Sequence, residues 1–150
     1  MIWSAVFAFL HLLTIGLAAG MLLVEHWLLR RPVDRTQARL LGIADLTWLL
    51  ALIGSLATGL ARSTYFGMGA PFYLANPLFL VKLGAFALLV TTALVNIRLL
   101  ARWNYAARNA AAFAPLSREV ERLRAAIALE LGLVVLLTFL AVLVTRGFGS

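Results

Sequence analysis

Six titratable side chains stand inside long apolar runs: His11, Glu25, His26, Asp45, Lys82 and Glu130. Ionisable groups at membrane depth are costly, and they mark proton relays, ion paths or ligand partners. Spacing sorts these six into two layers. His11 and Lys82 fall about 13 and 8 Å inside the starts of their runs, at about 1.5 Å per residue. His11 has two readings. It is a neutral imidazole donating to a backbone carbonyl or to Thr14 one turn on, or it is a ligand for haem iron, which imidazole suits. Lys82 is long enough to snorkel to the interface. The alternative is a cation pairing a carboxylate such as a haem propionate, together with Arg62, or an amine titrating in a low-dielectric site.

The other layer holds Glu25, His26, Asp45, Asn96 and Glu130. Glu25 lies fourteen residues after His11, and Asn96 fourteen after Lys82. Each pair therefore shares one helix face. Arg30, Arg39 and Arg98 fall at a depth from which they could clamp the acids between helices. A proton path joining the two layers is the sharper alternative. His26 sits near the interface, half in water.

These residues need helices to position them. The chain has 150 residues, 63% of them apolar, and a mean hydropathy of +0.98. Ordinary soluble domains are about 45–50% apolar. A bilayer core takes about 20 apolar residues as a helix, and four runs qualify. The expected architecture is all-α and integral to the membrane, one four-helix transmembrane bundle over 1–150. Its helices span about 2–29, 40–61, 77–100 and 120–145. The runs are continuous rather than alternating, which excludes barrel strands. The first run is longer than the apolar core of a signal peptide, about 7–15 residues, and no basic residue precedes it.

The net charge is +7, from thirteen basic and six acidic residues. The arginines flank the apolar runs, so the bilayer and not nucleic acid is the expected partner. Ten of the twelve arginines fall in or beside the first and third loops, against Arg62 and Arg146 at the other end. By the positive-inside rule this puts both termini outside, in a multi-pass protein of the bacterial inner membrane.

The second loop, Arg62 to Asn76, is aromatic. Tyr65, Phe66, Phe72 and Tyr73 suit an interfacial belt or a lid over a pocket, and Tyr65, Tyr73 and Asn76 are its candidate residues. Asn76 is expected to cap a helix with Pro77 at its first position. The third loop is expected to extend the third helix and turn at Pro115. The last helix reaches back toward Ser117, with Glu119 and Glu121 in its first turns. Gly16 and Gly20, and the stripe Ala51, Ser55 and Gly59, permit close helix approach, within the bundle or to a second subunit.

Several chemistries fail by counting. There is no Cys. A bis-His dihaem site needs four His, and one chain has His11 and His26. Met1, Met21 and Met68 form no copper cluster. Gly67-Met68-Gly69 lacks the Lys-Ser/Thr of a phosphate loop.

The order of marks resembles a known family. Phe9-Leu10-His11 and Glu25 lie in the first run, and Thr58-Gly59-Leu60-Ala61-Arg62 ends the second. Phe72-Tyr73-Leu74-Ala75-Asn76-Pro77 leads to Lys82-Leu83-Gly84, then Ile97-Arg98-Leu99, Arg102-Trp103 and Leu129-Glu130-Leu131. This set is similar to the bacterial predicted-membrane-protein family catalogued as domain of unknown function 2214, over nearly the whole chain. Leu12 stands where that family usually has a second His. Phe66-Gly67 replaces its acid-Lys-Gly, and Val95-Asn96 its Pro-Thr. A remoter resemblance is to HemJ-type protoporphyrinogen oxidases and CopD-like membrane proteins. It implies haem b, with His11 and Lys82 at the matching positions.

Three functions follow as expectations. One is a b-type haem-binding redox protein, with iron on His11 and propionates on Lys82 or Arg62. A second is a non-enzymatic subunit or assembly factor of a larger membrane complex. The third is a small ion- or proton-linked transporter acting as a homo-oligomer through Glu25, Asp45 and Glu130. Whether the chain is an enzyme stays open at this point.

Overall fold

The structure is a computed structural model that describes residues 2–65, 69–110 and 112–148. Met1 and the loop residues Phe66, Gly67 and Met68 lie outside the described residues. Five helices follow one another: α1 (Ile2–Leu28), α2 (Arg35–Tyr65), α3 (Ala70–Ala75), α4 (Pro77–Asn109) and α5 (Ser117–Thr145). Among the described residues four of them, all but α3, are long and apolar enough to cross a membrane. At 27 to 33 residues they run about 40–50 Å, so they outreach a hydrocarbon core of about 30 Å.

Local chemistry sets the ends. α1 stops before Pro32, which cannot continue a helix. Asp34 then caps α2: its Oδ1 accepts from the Gln37 amide at 2.8 Å. α2 therefore begins at Arg35, five residues ahead of the expected 40. The expected cap on α4 is present. Asn76 Oδ1 accepts from the amides of Leu78 and Phe79 at 2.9 and 3.3 Å, with Pro77 in the first turn. α4 runs on to Asn109 as a polar extension, and α5 begins at Ser117.

The helices form a ring in the order α1, α2, α4, α5, with α5 returning against α1. α1 and α2 make the most extensive pairing, and α3 rests on α2 and α4. Each long helix turns a seam of buried residues inward at spacings of three and four, the period of one helix face. In α1 this seam is Ala18, Leu22, Glu25 and Leu28; in α4 it is Leu89, Ala93, Asn96 and Leu100.

The two ends of the ring differ. Toward the α1–α2 turn the seam is closed. Toward the termini α1 buries nothing before Ala18, α2 nothing after Leu52, and α4 nothing before Leu89. The closed end is also stitched by polar side chains. Arg124 donates to the Leu29 carbonyl at 2.7 Å, and Arg35 to the Ala110 carbonyl at 2.7 Å. Glu119 accepts from Arg102 at 2.5 Å and from the Trp103 indole at 3.0 Å. The two arginine–carbonyl contacts tie down carbonyls at helix ends that have no helical partner.

The small residues divide as well. A Cβ on Gly54 would touch Thr14, and one on Gly59 would lie 3.1 Å from the His11 ring. So α1 and α2 approach closely along the Ala51–Ser55–Gly59 face. A Cβ on Gly16 or Gly20 would meet nothing within 4 Å, so these two do not mediate this packing.

Candidate functional site

The seam carries one polar residue per long helix, and these four come to one level. Glu25 of α1, Asp45 of α2, Asn96 of α4 and Glu130 of α5 are all at most 3% exposed. Asn96 Nδ2 donates to Glu130 Oε1 at 3.0 Å. Asp45 and Glu130 both lie within electrostatic reach of Glu25, and the Thr92 side chain lies beside Glu130. Both carboxyl oxygens of Glu25 and the second of Glu130 have no hydrogen-bond partner among the described residues.

The expected acid–arginine clamps are absent. Arg102–Glu119 is the one ion pair among the described residues. Arg30 and Arg39 lie about 8 and 9 Å from the level of the acids, and with Arg98 they point out of the bundle and are exposed. Depth along a helix is a matter of residue count, whereas pairing also needs a shared face. His26 lies beside Glu25 in sequence but is only half-buried, with Nδ1 unpartnered among the described residues. It does not belong to the carboxyl layer.

Apolar layers bracket the acids. Leu22, Leu52, Leu89 and Leu133 lie toward the termini, and Leu41, Leu100, Leu123 and Ile127 toward the closed end; all are buried. Access comes from the side. A groove between α2 and α4 reaches Asp45 from a mouth at Arg39 and Arg108.

The second layer lies about 21 Å away, fourteen residues along α1. His11 Nδ1 sits 3.0 Å from Thr58 Oγ1. The Thr58 hydroxyl donates to the Gly54 carbonyl at 2.7 Å. A hydroxyl has one hydrogen: with it on the Gly54 carbonyl, Thr58 accepts from Nδ1–H, and with it on the ring, Nδ1 is the acceptor, so the tautomer sets the direction. The Ser55 backbone carbonyl also lies within hydrogen-bond reach of the ring. Thr14, the partner expected for His11, instead donates to the His11 carbonyl at 2.9 Å. Arg62 and Lys82 lie within electrostatic reach of His11, as the sequence spacing requires. Both are half-buried.

The second loop is partly structural. Asn76 is 1% exposed, and its Nδ2 donates to the Phe148 carbonyl at 2.9 Å. This bond holds the chain end against the loop. Tyr73 packs between Phe72 and Phe79, with ring centroids 5.4 and 5.3 Å away. Tyr65 is 82% exposed. Among the described residues no three His or acidic side chains converge on a metal position.

Sequence reasoning missed Thr58 and Thr92. Both are polar residues in apolar runs, which is a signal, but each also satisfies its own hydroxyl on the preceding turn. That habit makes such residues easy to pass over.

No curated protein and no solved structure gives a significant match to this chain. A family model described as predicted membrane protein, DUF2214, matches residues 3–149. The chain belongs to that family and is a multi-pass membrane protein.

Proposed function

Starting from that membership, we propose that the chain is a proton-exchanging membrane protein that works through the Glu25–Asp45–Glu130 layer. One observation carries this reading. Three carboxyls, from three helices, lie buried together, and none is in an ion pair among the described residues. Carboxyls in such a setting are the usual proton carriers of membrane bundles. Asp45 is the entry residue, since the groove between α2 and α4 ends on it. Glu25 and Glu130 receive the proton from there, and Asn96 keeps Glu130 oriented by its 3.0 Å bond. The leucine layer toward the termini separates this store from His11. Exchange is therefore one-sided in a single chain, and a complete path would run between copies in a homo-oligomer.

The test is proton flux in vesicles containing the purified protein, driven by an imposed pH gradient. Asp45→Asn is expected to slow uptake by about tenfold or more, the scale of removing a proton-transfer group. Unchanged flux in a folded Glu25→Gln/Asp45→Asn/Glu130→Gln protein would overturn the reading and leave the layer a packing device.

A second reading rests on His11. Its Nδ1 is bonded to Thr58, and in the tautomer with Nδ1–H as the donor the other ring nitrogen is the ligand. These residues fit haem b: Nε2 would hold the iron, and Lys82 and Arg62 would face the propionates. The haem, when bound, would supply one-electron chemistry. Thr58 would then orient the ring and Gly59 leave room for its Cε1 edge. The visible spectrum of the purified protein, oxidised and reduced, tests this. A Soret band lost in His11→Ala supports it, and a featureless spectrum after expression with added haem removes it.

A further inference from the structure

α2 and α4 do not close on each other along their whole length. Near the stitched end a groove of about 410 Å³ opens between them. Arg39 and Arg108 stand at its mouth, Ile43, Leu46 and Ile97 line its walls, and Asp45 lies at its inner end. A neighbouring hollow of about 370 Å³ shares Arg39 and Arg108 and adds Arg35.

The mouth is strongly positive and uncompensated. Neither Arg39 nor Arg108 has a carboxylate partner among the described residues. Arg35 commits one nitrogen to the Ala110 carbonyl, which leaves the rest of its fork. Asn104 borders both spaces, but its Nδ2 already donates to the Ala38 and Leu100 carbonyls at 3.1 and 2.9 Å. It shapes the wall and leaves an anion to the guanidiniums. The walls below are apolar and run out to the bilayer: Ile43 and Leu46 are 54% and 52% exposed.

We propose that this groove holds one anionic phospholipid, with its phosphate between Arg39 and Arg108 and an acyl chain along Ile43, Leu46 and Ile97. Charge decides the head group, because paired guanidiniums at a helix interface match phosphate oxygens. The apolar walls decide the tail. A soluble phosphate compound has no apolar part to use those walls, which open onto the hydrocarbon. Asp45 does not oppose the phosphate: it is six residues past Arg39, about 9 Å deeper, beside the glycerol and upper chain. The inference stands without the proton reading; where both hold, the lipid lines the route to Asp45 and a proton passes beside its head group.

The test is native mass spectrometry of the detergent-purified protein. It is titrated with phosphatidylglycerol, with phosphatidylcholine of the same chains, and with inorganic phosphate. One saturable phosphatidylglycerol adduct is expected, with phosphatidylcholine about tenfold weaker. Arg39→Gln/Arg108→Gln should weaken the adduct by about tenfold or more, at about 1 kcal/mol for each basic residue near the head group. Arg118→Gln/Arg122→Gln, outside the groove at the same end, should retain it. Leu46→Trp, which fills the wall and spares the arginines, should also lose it, and decides the matter if the double Arg variant fails to fold. Equal binding of the two lipids would overturn the proposal. So would equal loss in the Arg118/Arg122 control, or displacement of the lipid by inorganic phosphate at the same concentration.

Discussion

Glu130 and His11 are both polar residues inside an apolar helix, yet the two halves of the bundle treat them differently. Around Glu130 all four long helices contribute a buried residue at the same level, and protein surrounds the carboxyl on every side. Around His11 the ring packs against α2 through Thr58 and Gly59, with Lys82 of α4 within electrostatic reach. There α4 buries nothing before Leu89, while α5 still buries Leu140 and Val144. In the closed half the side chains of this protein alone define the surroundings of the acids. In the open half the bilayer completes the surroundings of His11. A polar residue in a membrane helix is therefore not one category, and its meaning depends on how many helices converge on it.

That contrast breaks most sharply at Trp48, which is fully buried one turn from Asp45. Trp48→Ala should destabilise the protein by about 3 kcal/mol. In lipid the transfer of apolar surface contributes little, so the void and lost contacts account for the cost. Unfolding in a denaturing detergent, followed by circular dichroism, measures it. Asn96→Leu comes next. It removes the Asn96 donor to Glu130 and should cost about 1–2 kcal/mol. In a double-mutant cycle with Glu130→Leu the second substitution should recover part of that loss. Asn76→Ala acts at the open end through the cap on α4, and a loss of about 1 kcal/mol is expected. Hydrogen exchange at the amides of Leu78 and Phe79 should rise with it. Phe9→Ala is the smallest. Phe9 is 64% exposed, so truncation in the open half should shift stability by less than about 0.5 kcal/mol. A loss matching that of Trp48→Ala would mean the open half is packed after all.

Hydropathy alone located the four spans, because a continuous apolar run in lipid has to be helical to satisfy its own backbone. The ends were less legible. α2 begins at Arg35 because a cap such as Asp34 stabilises turns that lie beyond the hydrocarbon, whereas the polar extension of α4 to Asn109 is the one expected of the third loop. Residue counting put Glu25, Asp45, Asn96 and Glu130 at one level, and they meet there. The same counting paired the acids with Arg30, Arg39 and Arg98, and there it failed. Arginines at helix ends have another use, on orphaned carbonyls such as that of Leu29. The Thr58 partner of His11 was hidden for a related reason. Which residue of α2 faces which residue of α1 is set by the register of two packed helices, and one sequence carries no direct mark of it.

The placing of one polar residue in each long helix also bears on how the chain enters the membrane. A carboxyl near the middle of a span, as Glu130 is in α5, costs about 2.5–3.5 kcal/mol when that helix inserts by itself, and one near a helix end, as Glu25 is in α1, costs less. The α1–α2 hairpin is synthesised first and brings Glu25 and Asp45, two acids with no hydrogen bond between them among the described residues. The α4–α5 hairpin arrives later and brings its own matched pair, the Asn96 amide and the Glu130 carboxyl. The early hairpin is thus delivered with both Glu25 oxygens unpartnered, while the late one brings one Glu130 oxygen already bonded. Assembly of the ring has a built-in order, in which the first half waits for the second to shield it from lipid.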